Sequence, residues 1–234
     1  MRRPKLREFC ALAVMTKAPA PGNVKTRLSP PLTPEEAAEL NACFLRDISL
    51  SIAIATELSS ARGIAVYTPS GSEAIYDSLL PPSFELWAQR GQSFGERLVS
   101  ALEDLFTIGF GSVCLINSDS PAARPESFAE AANELAKPGD RIALGPAEDG
   151  GYYLIGLKKL HRRLFENIDW STERVFSQTI ERAREIGLTV HVLREGLDVD
   201  DHRSLSRLSE QLCRENADVA PNTRKFLEEL RGRI

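Results

Sequence analysis

The sequence has no cysteine pair at metal or redox spacing, and that absence removes two classes of protein at once. Its four cysteines, Cys10, Cys43, Cys114 and Cys213, stand far apart with no Cys-x-x-Cys among them. Neither a zinc site nor a disulfide framework is expected. Cys10 and Cys114 lie inside apolar runs, where a free thiol behaves as a small hydrophobe, and the usage fits a reducing compartment. Histidine is equally sparse: His161, His191 and His202 have no partner at ligand spacing. The chain also lacks a Gly-x-Ser-x-Gly elbow and a Gly-x-Gly-x-x-Gly fingerprint, which argues against a serine hydrolase and a nicotinamide dehydrogenase.

Positive charge is not in excess. With 29 Lys and Arg against 33 Asp and Glu, the net charge is −4, so nucleic acid is not expected as the main partner. No segment approaches the roughly 18 apolar residues of a membrane helix. The start, Arg2-Arg3-Pro4-Lys5, resembles the basic part of a signal peptide. The apolar run after it, Phe9 to Met15, is short and ends at Thr16-Lys17 without a small-residue cleavage pattern. A cytoplasmic protein that does not engage membranes is expected.

What the chain does contain is an alternation of buried-strand and helix signals over 234 residues, enough for one large α/β domain spanning residues 1–234. Apolar runs at Phe9–Met15, Ile64–Tyr67, Phe84–Ala88, Val113–Ile116, Ile142–Leu144, Tyr152–Ile155 and Leu188–Leu193 read as strands. Thr33-Pro34-Glu35-Glu36 predicts a capped helix start, and Leu40, Phe44 and Ile48 continue it on one face. Helices are also expected over Phe94–Phe106, from Pro125 to before Pro138, over Glu173–Ile186, and through much of the tail from His202. Such alternation predicts a largely parallel sheet covered on both faces.

In such sheets ligands bind beyond the carboxyl ends of the strands, and the polar clusters fall there. Lys17-Ala-Pro-Ala-Pro-Gly22-Asn-Val-Lys25-Thr26-Arg27 places three cations after the first strand of an acidic protein. Lys25 and Arg27 could neutralise phosphate oxygens. A Walker A loop is rejected, because Val24 stands where its glycine must be, and Pro19 and Pro21 lack the N–H groups of a phosphate nest. Asp119, just past a strand, suits Mg²⁺ or Mn²⁺; the alternative is a turn aspartate or a helix cap. Asp198-Val-Asp200-Asp201 offers a second metal ligand, with Asp200 favoured over Asp198, although Asp200 or Asp201 could instead cap the next helix. Glu148-Asp149-Gly150-Gly151 is either a tight turn or a close approach to a ligand. Gly91 through Arg97 joins a strand to a helix, as ligand contact or as ordinary loop.

Five segments in order carry a family resemblance: Lys17 to Leu28, Asn117-Ser-Asp-Ser-Pro121, Gly145 to Gly156, Trp170-Ser-Thr172 and Asp198-Val-Asp200. From about Ala11 to about Leu205 the chain resembles the bacterial DUF2064 family of GT-A-like proteins. The family belongs to the nucleotide-diphospho-sugar transferase superfamily and is similar to the enzymes that guanylylate 2-phospholactate or the molybdenum cofactor. The resemblance implies a Rossmann-like α/β/α sandwich with a mixed sheet. It implies that Lys17, Gly22, Lys25, Thr26 and Arg27 hold nucleotide phosphates, with Lys25, Arg27 and Asp119 in catalytic roles. Asp119 and Asp200 would hold Mg²⁺ or Mn²⁺. Asp149, Gly150 and Gly151 would line the acceptor or nucleotide pocket, and Gly91 to Arg97 the base side. The chain departs from the family at Asp201-His202-Arg203-Ser204, where Thr-Pro-Glu-Asp is usual. That leaves Asp200 in place and alters the start of the following helix.

The expected partners are a nucleotide, either an NTP or a nucleotide sugar, and a small-molecule acceptor. The expected reaction is nucleotidyl transfer, with glycosyl transfer or non-catalytic binding as alternatives. Asp119 and Asp200 are expected to face one crevice near Lys25 and Arg27.

Overall fold

A computed structural model describes residues 5–230, so the Arg2–Pro4 portion of the basic start lies outside the described residues. The strands are β1 (Cys10–Lys17), β2 (Ala61–Thr68), β3 (Glu85–Ala88), β4 (Ser112–Ile116), β5 (Arg141–Pro146), β6 (Tyr152–Leu157) and β7 (Thr189–Val192). They form one sheet in the order β3-β2-β1-β4-β6-β5-β7. All neighbouring pairs are parallel except those of β6, which runs antiparallel to both β4 and β5. The sheet is therefore mixed. Among the described residues no helix is long and apolar enough to cross a membrane.

Both faces of the sheet are buried, which is why its central strands read as unbroken apolar runs rather than alternating ones. Leu12, Val14 and Cys114 point to the face covered by α1 (Pro34–Leu58) and α4 (Pro125–Ala136), packing with Ile48, Ile52 and Phe128. Ala11, Ala13 and Leu115 point the other way, toward α3 (Phe94–Thr107) and α5 (Val175–Glu185). Each fully buried Leu or Phe contributes about 1.5–3 kcal/mol, and register follows because a one-residue slip would exchange the two faces.

Helix starts follow their local chemistry. Thr33 and Glu36 form the reciprocal capping box of α1, with Pro34 in its first turn. Ser93 and Glu96 do the same for α3. A four-residue helix, α2 (Glu73–Tyr76), has too short a pattern to be seen by periodicity. α5 begins at Val175, not Glu173, because residues 171–174 are held in a turn, with Ser171 at φ 64°.

The tail forms two helices, α6 (His202–Arg214) and α7 (Pro221–Glu229), which bury Leu205, Leu208, Leu212 and Leu227 with Leu40 and Phe44 of α1. One polar contact fastens this layer. Asp47 on α1 is 2% exposed, and its carboxylate accepts from Asn222 N (3.0 Å), Asn222 Nδ2 (2.7 Å) and Thr223 N (2.8 Å). It thus satisfies the free N–H groups at the start of α7, where a negative charge is favoured. Asp47→Ala is expected to lower the unfolding free energy by about 2–3 kcal/mol, read from the urea midpoint. A loss under about 0.5 kcal/mol, the size of an ordinary surface substitution, would show that the apolar faces alone hold the tail.

Candidate functional site

The strand order reverses between β1 and β4, and a crevice opens beyond their carboxyl ends, as expected at such a switch point. The loop leaving β1 is anchored by Val24 and by Leu28, both buried. Between those anchors Lys25 takes a left-handed backbone (φ 48°, ψ 35°), an uncommon conformation for a residue with a Cβ. The turn aims its side chain inward while Thr26 and Arg27 stay exposed.

The Lys25 ammonium uses all three of its donors. It reaches Val199 O at 2.6 Å, Asp119 Oδ1 at 2.5 Å and Asp200 Oδ1 at 3.0 Å. Its side chain is 5% exposed and lies 5.5 Å from the centre of the Phe44 ring. Burial pulls its pKa down, but the carboxylates of Asp119 and Asp200 outweigh that and raise it, so the group stays a cation. Asp119 and Asp200 thus come from two distant loops to share one positive charge, and both face the crevice near Lys25 and Arg27.

The loop after β4 is held by a polar network. Asn117 Oδ1 accepts from Asp119 N (3.2 Å), and Asn117 Nδ2 donates to Asp198 (2.7 Å). Ser120 Oγ also donates to Asp198. Burial pushes the Asp198 carboxyl up to about 6, against the lowering effect of Ser120 and Asn117, and nearby Asp119 and Asp149 add to the rise. Asp198 and Asp200 therefore differ in role: Asp198 ties the loop down, while Asp200 meets Lys25. Asp201 takes the cap of α6, accepting from Ser204 N at 2.8 Å, and Ser204 Oγ returns a bond from Asp201 N. Because Asp201 is the cap, the Asp200 side chain is left free of capping duty.

The crevice is a cavity of about 670 Å³, within the range of small-molecule sites. Its opposite wall is apolar, with Phe94 and Trp170 edge to face at 5.2 Å and Leu98 beside them. Neither Phe94 nor Trp170 stands out in the sequence as a site residue. Trp170 is visible only as part of a motif, and Phe94 is disguised as the first apolar position of a helix. Asp149 and Gly151 also line the cavity, with Gly151 N bonded to Asp149 Oδ1 at 2.9 Å. Gly150 lies behind them, at φ 87°, and a Cβ there would fall 2.2 Å from Glu173 O. Its carbonyl accepts from Phe176 N at 2.8 Å. The loop is thereby clasped to the segment that carries Trp170 and Glu173.

Not every expected residue reaches the crevice. Lys17 lines it, with Nζ donating to Asn23 O at 3.0 Å, whereas Gly22 only turns the loop. Gly91 lies in a separate cavity of about 390 Å³. Arg97 donates to Gln92 O at 3.1 Å and lies 6.0 Å from the Phe94 ring, at the start of its own helix. From this stretch it is Phe94, with Leu98 one turn on, that meets the cavity.

The fold is that of nucleotide-diphospho-sugar transferases, and comparison with known proteins agrees. The family model described as an uncharacterised protein conserved in bacteria (DUF2064) matches residues 52–172, just over half of the chain. The chain belongs to this family. The matched stretch includes Asp119 and Asp149 to Gly151, while Lys25 and Asp200 lie outside it. A solved structure from Desulfovibrio desulfuricans G20, provisionally named a nucleotide-diphospho-sugar transferase, is 30% identical with a TM-score of 0.86, and the match covers 96% of both chains. More distant likenesses share the fold. They include CMP:2-keto-3-deoxy-manno-octonic acid synthetase with CTP (11% identity, TM-score 0.55, 89% and 100% covered). Another is 4-diphosphocytidyl-2C-methyl-D-erythritol synthase from Anaerococcus prevotii (14%, 0.55, 88% and 97%). No curated protein matches the sequence.

Gly150→Ala tests the clasp that shapes the far side of the cavity. Because the added Cβ meets backbone and the left-handed conformation is strained, a loss of about 2 kcal/mol or more is expected. In a chain of this size that lowers the melting midpoint by roughly 4–8 °C. An unchanged midpoint would mean that the 148–151 loop is not held against residues 173–176.

Proposed function

We propose that the crevice binds a nucleotide by its phosphates and that the protein transfers a group from it to a small acceptor, most simply a nucleotidyl group from an NTP. One observation carries this reading. Asp119 and Asp200, from loops after β4 and β7, converge on a single cation at the strand ends, beside the cations of the β1 loop.

Two carboxylates sharing one positive charge are a donor set that suits Mg²⁺ or Mn²⁺, which are held by one or two carboxylates together with phosphate oxygens. Among the described residues no group of three or more His, Cys, Asp and Glu side chains could hold a metal by itself, and that too fits an ion shared with its substrate. Asp119 and Asp200 would hold it, and it would supply charge neutralisation at phosphoryl oxygens.

The remaining roles belong to the chain. Arg27 is exposed at the crevice and makes no ion pair among the described residues. Its guanidinium can fork two oxygens of a phosphate. Lys17 adds a second cation at the crevice. A triphosphate needs more neutralisation than a diphosphate, and this basic loop favours an NTP over a nucleotide sugar. The Phe94–Trp170 wall offers an apolar surface that can pack the carbon skeleton of an acceptor or base.

The test is thermal unfolding against a panel of NTPs and of UDP-, GDP- and dTDP-sugars, each with and without Mg²⁺ or Mn²⁺. A ligand at about 100 times its Kd adds roughly 2.7 kcal/mol. A metal-dependent shift confined to one base, abolished in Asp119→Ala and followed by pyrophosphate release with an acceptor, is the expected outcome. Release of a nucleoside diphosphate would indicate glycosyl transfer, and a shift without release would indicate a binding protein. If no nucleotide shifts the midpoint, the transferase reading fails. Arg27→Ala is expected to weaken the bound nucleotide about tenfold to a hundredfold, the worth of a charge-assisted phosphate contact, with an unchanged melting midpoint in the free protein.

A further inference from the structure

The two carboxylates proposed to hold the metal already hold a cation, and it belongs to the protein. Lys25 Nζ lies 2.5 Å from Asp119 Oδ1 and 3.0 Å from Asp200 Oδ1. Its third donor is taken by Val199 O at 2.6 Å. A divalent ion ligated by the same two oxygens, at about 2.0–2.1 Å for Mg²⁺, would have to stand where the ammonium stands. The two are mutually exclusive occupants of one place, since both sets of distances cannot be met with like charges in contact.

We propose that Lys25 is the resting occupant of the metal seat, so that metal and nucleotide enter together, with the lysine side chain moving from the carboxylates to the nucleotide phosphates. The inference rests on the nucleotide-and-metal reading above and deepens it. The side chain is suited to this exchange: its backbone is fixed by the buried residues Val24 and Leu28 on either side, while four rotatable bonds let the ammonium swing into the 670 Å³ cavity. Without nucleotide, Lys25 would leave three good acceptors for water, and a metal would gain only two carboxylates. With nucleotide present, the phosphates supply new acceptors to the ammonium and further ligands to the metal. The two affinities are then coupled, and by linkage each ligand strengthens the other by the same factor.

Lys25→Met keeps the unbranched stem of the side chain and removes its charged end. Mn²⁺ titrations followed by the paramagnetic resonance signal of the free ion read the seat directly, with no turnover required. In nucleotide-free protein, Lys25→Met is expected to bind Mn²⁺ at least tenfold more tightly than wild type, and the added Asp119→Asn change is expected to abolish that site. In wild type, the nucleotide identified by the unfolding panel is expected to raise Mn²⁺ affinity at least tenfold, and this coupling is expected to shrink in Lys25→Met. Equal or weaker Mn²⁺ binding by folded Lys25→Met, verified by circular dichroism, overturns the proposal. So does wild-type protein that refuses Mn²⁺ even when saturated with nucleotide, since the ammonium would then be a permanent substitute for the metal. Should Lys25→Met misfold, Lys25→Gln takes its place with the same expectations. The nucleotide-free arm separates the two hypotheses. A gained Mn²⁺ site with no nucleotide binding refutes the transferase reading alone, whereas nucleotide binding with no gained site refutes the exchange alone.

Discussion

One buried ammonium holds the strand ends together. Lys25 links the loop after β1 to the loop after β4 through Asp119, and to the segment after β7 through Asp200 and Val199 O. A buried charge is costly unless its hydrogen bonds are complete, and here every donor is used. The dependence runs both ways. Without the lysine, Asp119 and Asp200 would face each other with no cation between them. Without the carboxylates, burial alone would act on the lysine and pull its pKa down. The left-handed backbone at Lys25 is a local strain of the kind that persists where the surroundings determine it fully.

Much of the frame was legible because its signals are local. The capping box of Thr33 and Glu36, the uninterrupted apolar strands and the polar residues at their ends each follow from a few neighbouring side chains. The mixed character of the sheet was available only through family resemblance, because nothing in an apolar run states the direction of its neighbour. What no local signal carried was the return path after β7. That strand lies at the sheet edge, yet the chain comes back across the strand ends, pairing Ala147 with Gly196 and bonding Val199 N to Asp119 O at 2.9 Å. Only this path decides between neighbouring aspartates. Alternation alone treats Asp198 and Asp200 alike, whereas the structure buries one against Asn117 and Ser120 and turns the other to Lys25.

For the Gly91–Arg97 stretch the sequence left ligand contact and ordinary loop open. Glycine and arginine next to a strand end suggest a ligand contact, but Gly91 is required by the approach of the first turn of α3, where a Cβ would lie 2.9 Å from Arg97 N. Its chemistry is spent on starting a helix. The residue of that stretch that meets the cavity is apolar Phe94, paired with Trp170 from a loop some seventy-six positions further along the chain. Apolar site walls are hard to see in a sequence because a Phe or Trp at helical spacing reads as core.

The charge balance of the cavity links these parts. Lys17, Lys25 and Arg27 face Asp119, Asp149, Glu173, Asp198 and Asp200, so acids outnumber bases in a site proposed for a polyanion. The Asp198 carboxyl, pushed up to about 6 by burial and by its acidic neighbours, records the same surplus of negative charge. A nucleotide triphosphate arriving alone would add several negative charges to that field, and only Arg27 and Lys17 would be free to meet them. Under the proposed exchange, a divalent cation entering with it would offset that surplus, and Asp119 and Asp200 would release the third base to face the phosphates. On that proposal an acidic seat occupied by a lysine would favour the metal–nucleotide pair over either partner alone, and selectivity of this kind would need no residue beyond those already converging on Lys25.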